Sequence, residues 1–295
     1  MTHICKFFLF LLTGLITLTS LHAQERVAPT RRNVAYGEHQ RLLGGSATNM
    51  DVYRPEGDKV TPVMIWIHGG GWKIGNKFGV DEKPAYFNNQ GFTLISINYR
   101  LVPEVDVATQ GQDVAQAIEW VKSHAAELKI DPERIFIMGH SAGAHLAALV
   151  GTNEEFLKGA GGTLADVRGI ILLDGAGYDV PRQIKEAPLK SSRELYLEAF
   201  GDDASKYARV SPLEHISAGK GIPPFLILYC AQRPDAKSQS TALGKKLERA
   251  GGSVKVVGCE NKTHMTINRE IGIEGDAPTR EISEFLDGLM KSQGE

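Results

Sequence analysis

Six short, almost wholly apolar runs punctuate the chain, at residues 62–67 (PVMIWI), 91–100 (GFTLISINYR), 134–138 (RIFIM), 169–174 (GIILLD), 224–229 (PFLILY) and 254–257 (VKVV). None alternates polar with apolar, so each must be covered on both faces, as in a parallel sheet flanked by helices. Helical spacing between them agrees. Residues 112–128 carry Val114, Ala117, Ile118 and Val121 on one face, and a helix over 238–250 stops at Gly251-Gly252. Residues 144–150 and 280–290 predict two more, with Asp131-Pro132-Glu133 as a turn between strand and helix. Strands alternating with helices define an α/β, doubly wound, mostly parallel sheet. Two shorter segments, 33–37 and 50–54, predict an antiparallel edge around a turn at Gly44-Gly45, bringing the total to about eight strands.

Composition narrows the rest. With 295 residues and 42% hydrophobic content the chain can bury one sizeable core. A net charge of −2, without Lys/Arg clusters interleaved with aromatics, excludes nucleic acid as the expected partner. No His/Cys/Asp/Glu spacing resembles a metal site, and no glycine fingerprint for phosphate or dinucleotide occurs, so no cofactor and no metal are expected. Residues 1–23 read as a signal peptide, with an apolar run after Lys6 and cleavage after Ala23, and the run is short for a membrane span. A secreted or periplasmic protein without a stable membrane anchor follows. Residues 24–32 are expected to be a disordered lead, and 33–295 a single catalytic domain. Within it, the long Pro-interrupted stretch at about 175–221, with a helix near 193–200, reads as a cap insertion. Cys230 and Cys259 close neighbouring strands and are expected as buried free thiols, because parallel neighbours rarely meet disulfide geometry.

The chemistry concentrates at two strand ends. Gly139-His140-Ser141-Ala142-Gly143 sits between an apolar strand and a helix, a bend so sharp that the flanking positions must be glycine or nearly as small. His68-Gly69-Gly70-Gly71-Trp72 leaves the strand at 62–67 in the same way. Together they resemble the nucleophile elbow and oxyanion loop of the α/β-hydrolases. The resemblance covers about residues 33–290. It is nearest to secreted carboxylesterases with an HGGGW loop, a group that includes lipase-like, acetyl-xylan and feruloyl esterases and kynurenine formamidase relatives.

That resemblance implies Ser141 as nucleophile and backbone N–H groups of Gly70, Gly71 and Ala142 as the oxyanion hole. It implies a histidine beyond the last strand as base, and His264 is the only one there. His68 is expected to pin its loop, and Trp72 to line the substrate pocket or pack. The acid is the departure. Relatives commonly place an aspartate ahead of a Gln-Ser pair opening the next helix, and counting back from Gln239-Ser240 reaches Gln232. Asp235, the only carboxylate in that loop, is the first choice. Asp174, at the end of an earlier strand, is the main alternative, with Asp179 third and an acid-less Gln232 enzyme fourth. The implied activity is serine hydrolysis of short-acyl carboxylic esters, small or carbohydrate-linked, through an acyl-enzyme. The alternatives are an N-formyl amidase, and a non-catalytic binding protein that has lost its acid.

Overall fold

The structure, a computed structural model, describes residues 27–38 and 47–291. The expected signal, Cys5 and the turn at Gly44-Gly45 lie outside the described residues. Eight strands form one sheet: β1 (Arg31–Ala35), β2 (Asn49–Tyr53), β3 (Thr61–Ile67), β4 (Thr93–Ile97), β5 (Ile130–His140), β6 (Gly169–Leu173), β7 (Phe225–Cys230) and β8 (Val254–Cys259). Their spatial order is β1-β2-β4-β3-β5-β6-β7-β8. The two pairings made by β2 are antiparallel and the other five are parallel.

Alternation along each strand explains why the runs are apolar throughout. On β3, Val63, Ile65 and Ile67 enter one core while Met64 and Trp66 enter the other. The first core is covered by helices Val107–Ser123, Ala142–Thr152 and Pro234–Arg249, and the second by Lys83–Asn89 and Ala277–Lys291. From β3 the chain steps one way to β4 and then crosses back to β5. The loops after β3 and β5 therefore diverge above the sheet, which is where open α/β sheets leave a crevice.

Two local expectations need correction. Arg31 and Arg32 are not part of a loose lead: they lie in β1, and Thr30 already donates its N–H to the Val52 carbonyl at 2.7 Å. Asp131-Pro132-Glu133 does not separate two elements but bulges within β5. Pairing to β3 jumps from Thr61↔Ile130 to Val63↔Ile135, because Pro132 has no N–H to give the ladder. Residues 175–221 form helices Val180–Lys185 and Lys190–Phe200, followed by three short 3₁₀ turns, all between β6 and β7. Cys230 and Cys259 are register neighbours on β7 and β8, both buried and both free.

Candidate active site

Steric exclusion shapes the elbow. A Cβ on Gly139 would lie 2.2 Å from the Gly143 carbonyl oxygen, and one on Gly143 would lie 2.1 Å from that of Ile67. Backbone occupies both places, so only glycine fits. Ser141 between them takes φ 55°, ψ −119°, a sparsely populated conformation that the surrounding strands hold through its N–H bond to the Leu173 carbonyl (3.0 Å). Ala142 is the first residue of the following helix, so its N–H has no acceptor within that helix.

The oxyanion-type loop is fixed from behind. His68 bonds through Nδ1 to the Gly69 carbonyl (2.7 Å) and stacks on Tyr99 at 4.4 Å, while the Tyr99 hydroxyl donates to the His68 carbonyl. Gly70 and Gly71 have φ of 127° and 58°, values that a side chain would resist. Trp72 borders the cavity at Ser141, and its ring is mostly taken up by packing. It is 1% exposed, donates its Nε1–H to His145 Nδ1 (3.2 Å) and packs on Phe200 at 4.7 Å, so it ties loop, elbow helix and cap together. Burial lowers His145 to about 4, leaving a neutral ring whose Nε2–H is given to the Val210 carbonyl.

His264 stands in the loop after β8. Its Nε2 is 3.1 Å from Ser141 Oγ, and its Nδ1 is 2.6 Å from Asp174 Oδ2. The carboxylate on the ring is therefore that of Asp174, at the end of β6, and not that of Asp235, the first choice from sequence. Asp235 opens the helix Pro234–Arg249, and its Oδ2 accepts from Arg233 Nη2 at 2.9 Å. Asp179 caps the helix Val180–Lys185, and Gln232 reaches outward to Glu260. Asp174 fits the role. Burial alone would raise its carboxyl, but the bond from His264, the Arg233 charge and the Cys230 N–H (2.9 Å) outweigh burial and hold it at about 2. It is thus ionised throughout the range in which an imidazole can act as base.

Two residues outside the Ser141–His264–Asp174 chain support it. His140, lowered to about 3 chiefly by burial, donates Nε2–H to the His264 carbonyl (2.7 Å), anchoring the base loop to the elbow. Arg233 touches both Asp174 and the His264 ring. The signal for His140 was its place beside the nucleophile. Nothing in the sequence marked Arg233.

Ser141, His264, His68 and Gly69 to Gly71 share a cavity of about 580 Å³, roofed by Ser192, Leu195 and Tyr196 of the helix Lys190–Phe200. A second cavity of about 600 Å³, bordered by Arg182, Lys245, Lys246 and Arg249, contains no nucleophile–base pair. No group of three His, Cys, Asp or Glu among the described residues could hold a metal.

An eight-stranded, mostly parallel sheet with a serine at the elbow, a histidine on its hydroxyl and an aspartate behind the histidine defines an α/β-hydrolase. The BD-FAE family profile matches residues 50–247, and the chain belongs to that family of α/β-hydrolase carboxylesterases. It is 31% identical over 219 residues to a Mycobacterium tuberculosis protein named as a probable carboxylic ester hydrolase, LipM, covering 67% of this chain and 46% of that one. It is 28% identical over 255 residues to an Arabidopsis thaliana protein named as a probable isoprenylcysteine alpha-carbonyl methylesterase, ICMEL1, covering 79% and 50%. The chain thus spans about half the length of these curated relatives. Among solved structures, a Thermogutta terrifontis esterase with butyrate bound superposes with a TM-score of 0.63 at 25% identity, covering 84% of this chain and 90% of that one.

Proposed function

We propose that the protein is a serine carboxylesterase acting on short-acyl esters. One observation carries the reading: an unbroken chain from Ser141 Oγ through His264 Nε2 and Nδ1 to Asp174 Oδ2, at 3.1 and 2.6 Å. As Ser141 Oγ attacks the ester carbonyl, His264 Nε2 takes its proton, and Asp174 stabilises the imidazolium through Nδ1–H. The carbonyl oxygen gains negative charge and is met by the N–H groups of Gly70, Gly71 and Ala142, the last at the positive end of a helix. His264 then protonates the departing alcohol, leaving an acyl group on Ser141. Water, deprotonated by the same ring, releases the acid.

The short acyl limit is supported by Leu195, whose Cδ1 lies 3.0 Å from where a Cβ on Gly71 would stand, so the cap helix closes over the loop. The Thermogutta esterase, which holds butyrate, is in keeping with this. The rest of the cavity leaves room for an alcohol portion of sugar size. The reading as a non-catalytic binding protein started from a missing acid, and Asp174 removes that premise.

The test is p-nitrophenyl acetate hydrolysis alongside fluorophosphonate labelling. The wild type should release a burst of p-nitrophenol equal to its own concentration and carry the label on Ser141, with both lost in S141A. A wild type that does neither is not an esterase.

A further inference from the structure

Arg233 is the one lining residue of the catalytic cavity that carries a permanent charge. Its side chain is 29% exposed and lies along the edge of the catalytic pair. Nη1 contacts Asp174 Oδ2, the same oxygen that His264 uses, and sits 2.7 Å from His264 Nδ1. Nη2 reaches Asp235 Oδ2 at 2.9 Å. Its backbone N–H is bonded to the Cys230 carbonyl (3.0 Å), so the side chain springs from the end of β7 beside the acid.

This contact sets a chemical conflict. Both Arg233 Nη1 and the productive form of His264 Nδ1 are donors, and they converge on one carboxylate oxygen. With the ring proton on Nδ1, the guanidinium cannot hydrogen-bond the ring and is a cation pressed against it. With the proton on Nε2, Nδ1 can accept from Arg233, but Nε2 can no longer receive the Ser141 proton. Asp235 pulls the other end of the guanidinium away from the ring.

We propose that Arg233 is a positioning residue for this hydrolysis, competing with His264 for Asp174 and opposing positive charge on the ring, with Asp235 as its counterweight. The inference rests on the hydrolase reading above. Arg233 shares the carboxylate oxygen with the ring and so takes some of that oxygen's charge from the imidazolium during turnover.

The remaining groups around the ring do not supply that effect. Burial keeps His140, 4.5 Å away ring to ring, neutral at about 3, and holds the Cys230 thiol at about 12. The Tyr196 hydroxyl is raised by burial, and Lys262 is paired with Glu270 and Asp276. Lys83, lowered to about 8 by burial and bonded to the Asn268 carbonyl beside the base loop, changes charge only on the alkaline side.

The test is the acidic limb of kcat/KM against pH for p-nitrophenyl acetate, in wild type, R233M, R233K and D235N. R233M should move the limb up by about one pH unit. R233K, which keeps the charge, should stay near wild type, and D235N should move the limb down. A limb unmoved by R233M, or moved in the same direction by R233M and D235N, overturns the proposal. Should R233M not fold, D235N decides alone, since it leaves the guanidinium in place: a downward shift supports the role and an upward shift or none rejects it. The same comparison read from the His264 ring signal by NMR, in S141A protein, needs no turnover. It therefore separates failure of this inference from failure of the esterase reading.

Discussion

On one side of His264 the site is made of backbone, and on the other it is made of side chains. The serine side joins the ends of β3 and β5, where backbone packed against the glycines at 69, 70, 139 and 143 leaves no room for a Cβ and the geometry is written into local sequence. The acid side joins the ends of β6, β7 and β8, where a carboxylate, a guanidinium and an imidazole from residues 174, 233 and 264 meet at one oxygen. Many side chains could be delivered to that point from either strand end, whereas few sequences can form the elbow. Motifs locate the first kind of site, and contacts between distant residues decide the second.

The largest expected break between the two sides is G143A. Its new methyl would have to displace the Ile67 and His68 carbonyls, at 2.1 and 2.5 Å, and should cost more than about 3 kcal/mol in a urea melt or yield no folded protein. A fold that absorbs it with an unchanged melt would show the elbow to be looser than described.

Acid should separate the sides next. His140 and His145, both on the serine side, are depressed from 6.5 to about 3 and about 4. The unfolded chain therefore takes up protons below about pH 6.5 that the folded chain refuses, so their stability contribution is whole above that pH. It falls with acidification by up to about 1.4 kcal/mol per pH unit per ring. Asp174, depressed to about 2, contributes stability that is present above its ordinary value of 3.8 and is lost only as pH falls through about 2. Urea midpoints between pH 7 and 5 should already decline. Midpoints constant down to pH 4 would mean the buried rings are charged. The smallest effect belongs to Q232A on the acid side, an exposed residue that should move stability by no more than about 0.5 kcal/mol.

What could be read in the chain follows the same division. The strands were legible because both faces are buried, and Ser141 because a bend that tight tolerates few residues. His264 followed from chain order. The acid was misplaced because Asp235 and Asp174 differ by which strand end they occupy, and nothing local to Cys230-Ala231-Gln232-Arg233 reveals that the end of β6 lies equally near the ring. For Trp72 an aromatic beside glycines can line a pocket or pack, and only its contacts with His145 and Phe200 show how much of the ring is packed while the residue still borders the cavity.

The assignment of Asp174 is the claim that separates this site from the pattern its relatives suggested. Replacing each acid by its amide and measuring kcat/KM on p-nitrophenyl acetate at neutral pH tests it directly. D174N should lose about four orders of magnitude, because an amide can orient the ring but cannot stabilise its charge, while D235N should lose less than about tenfold. A D235N enzyme that is nearly dead beside an active D174N would contradict it.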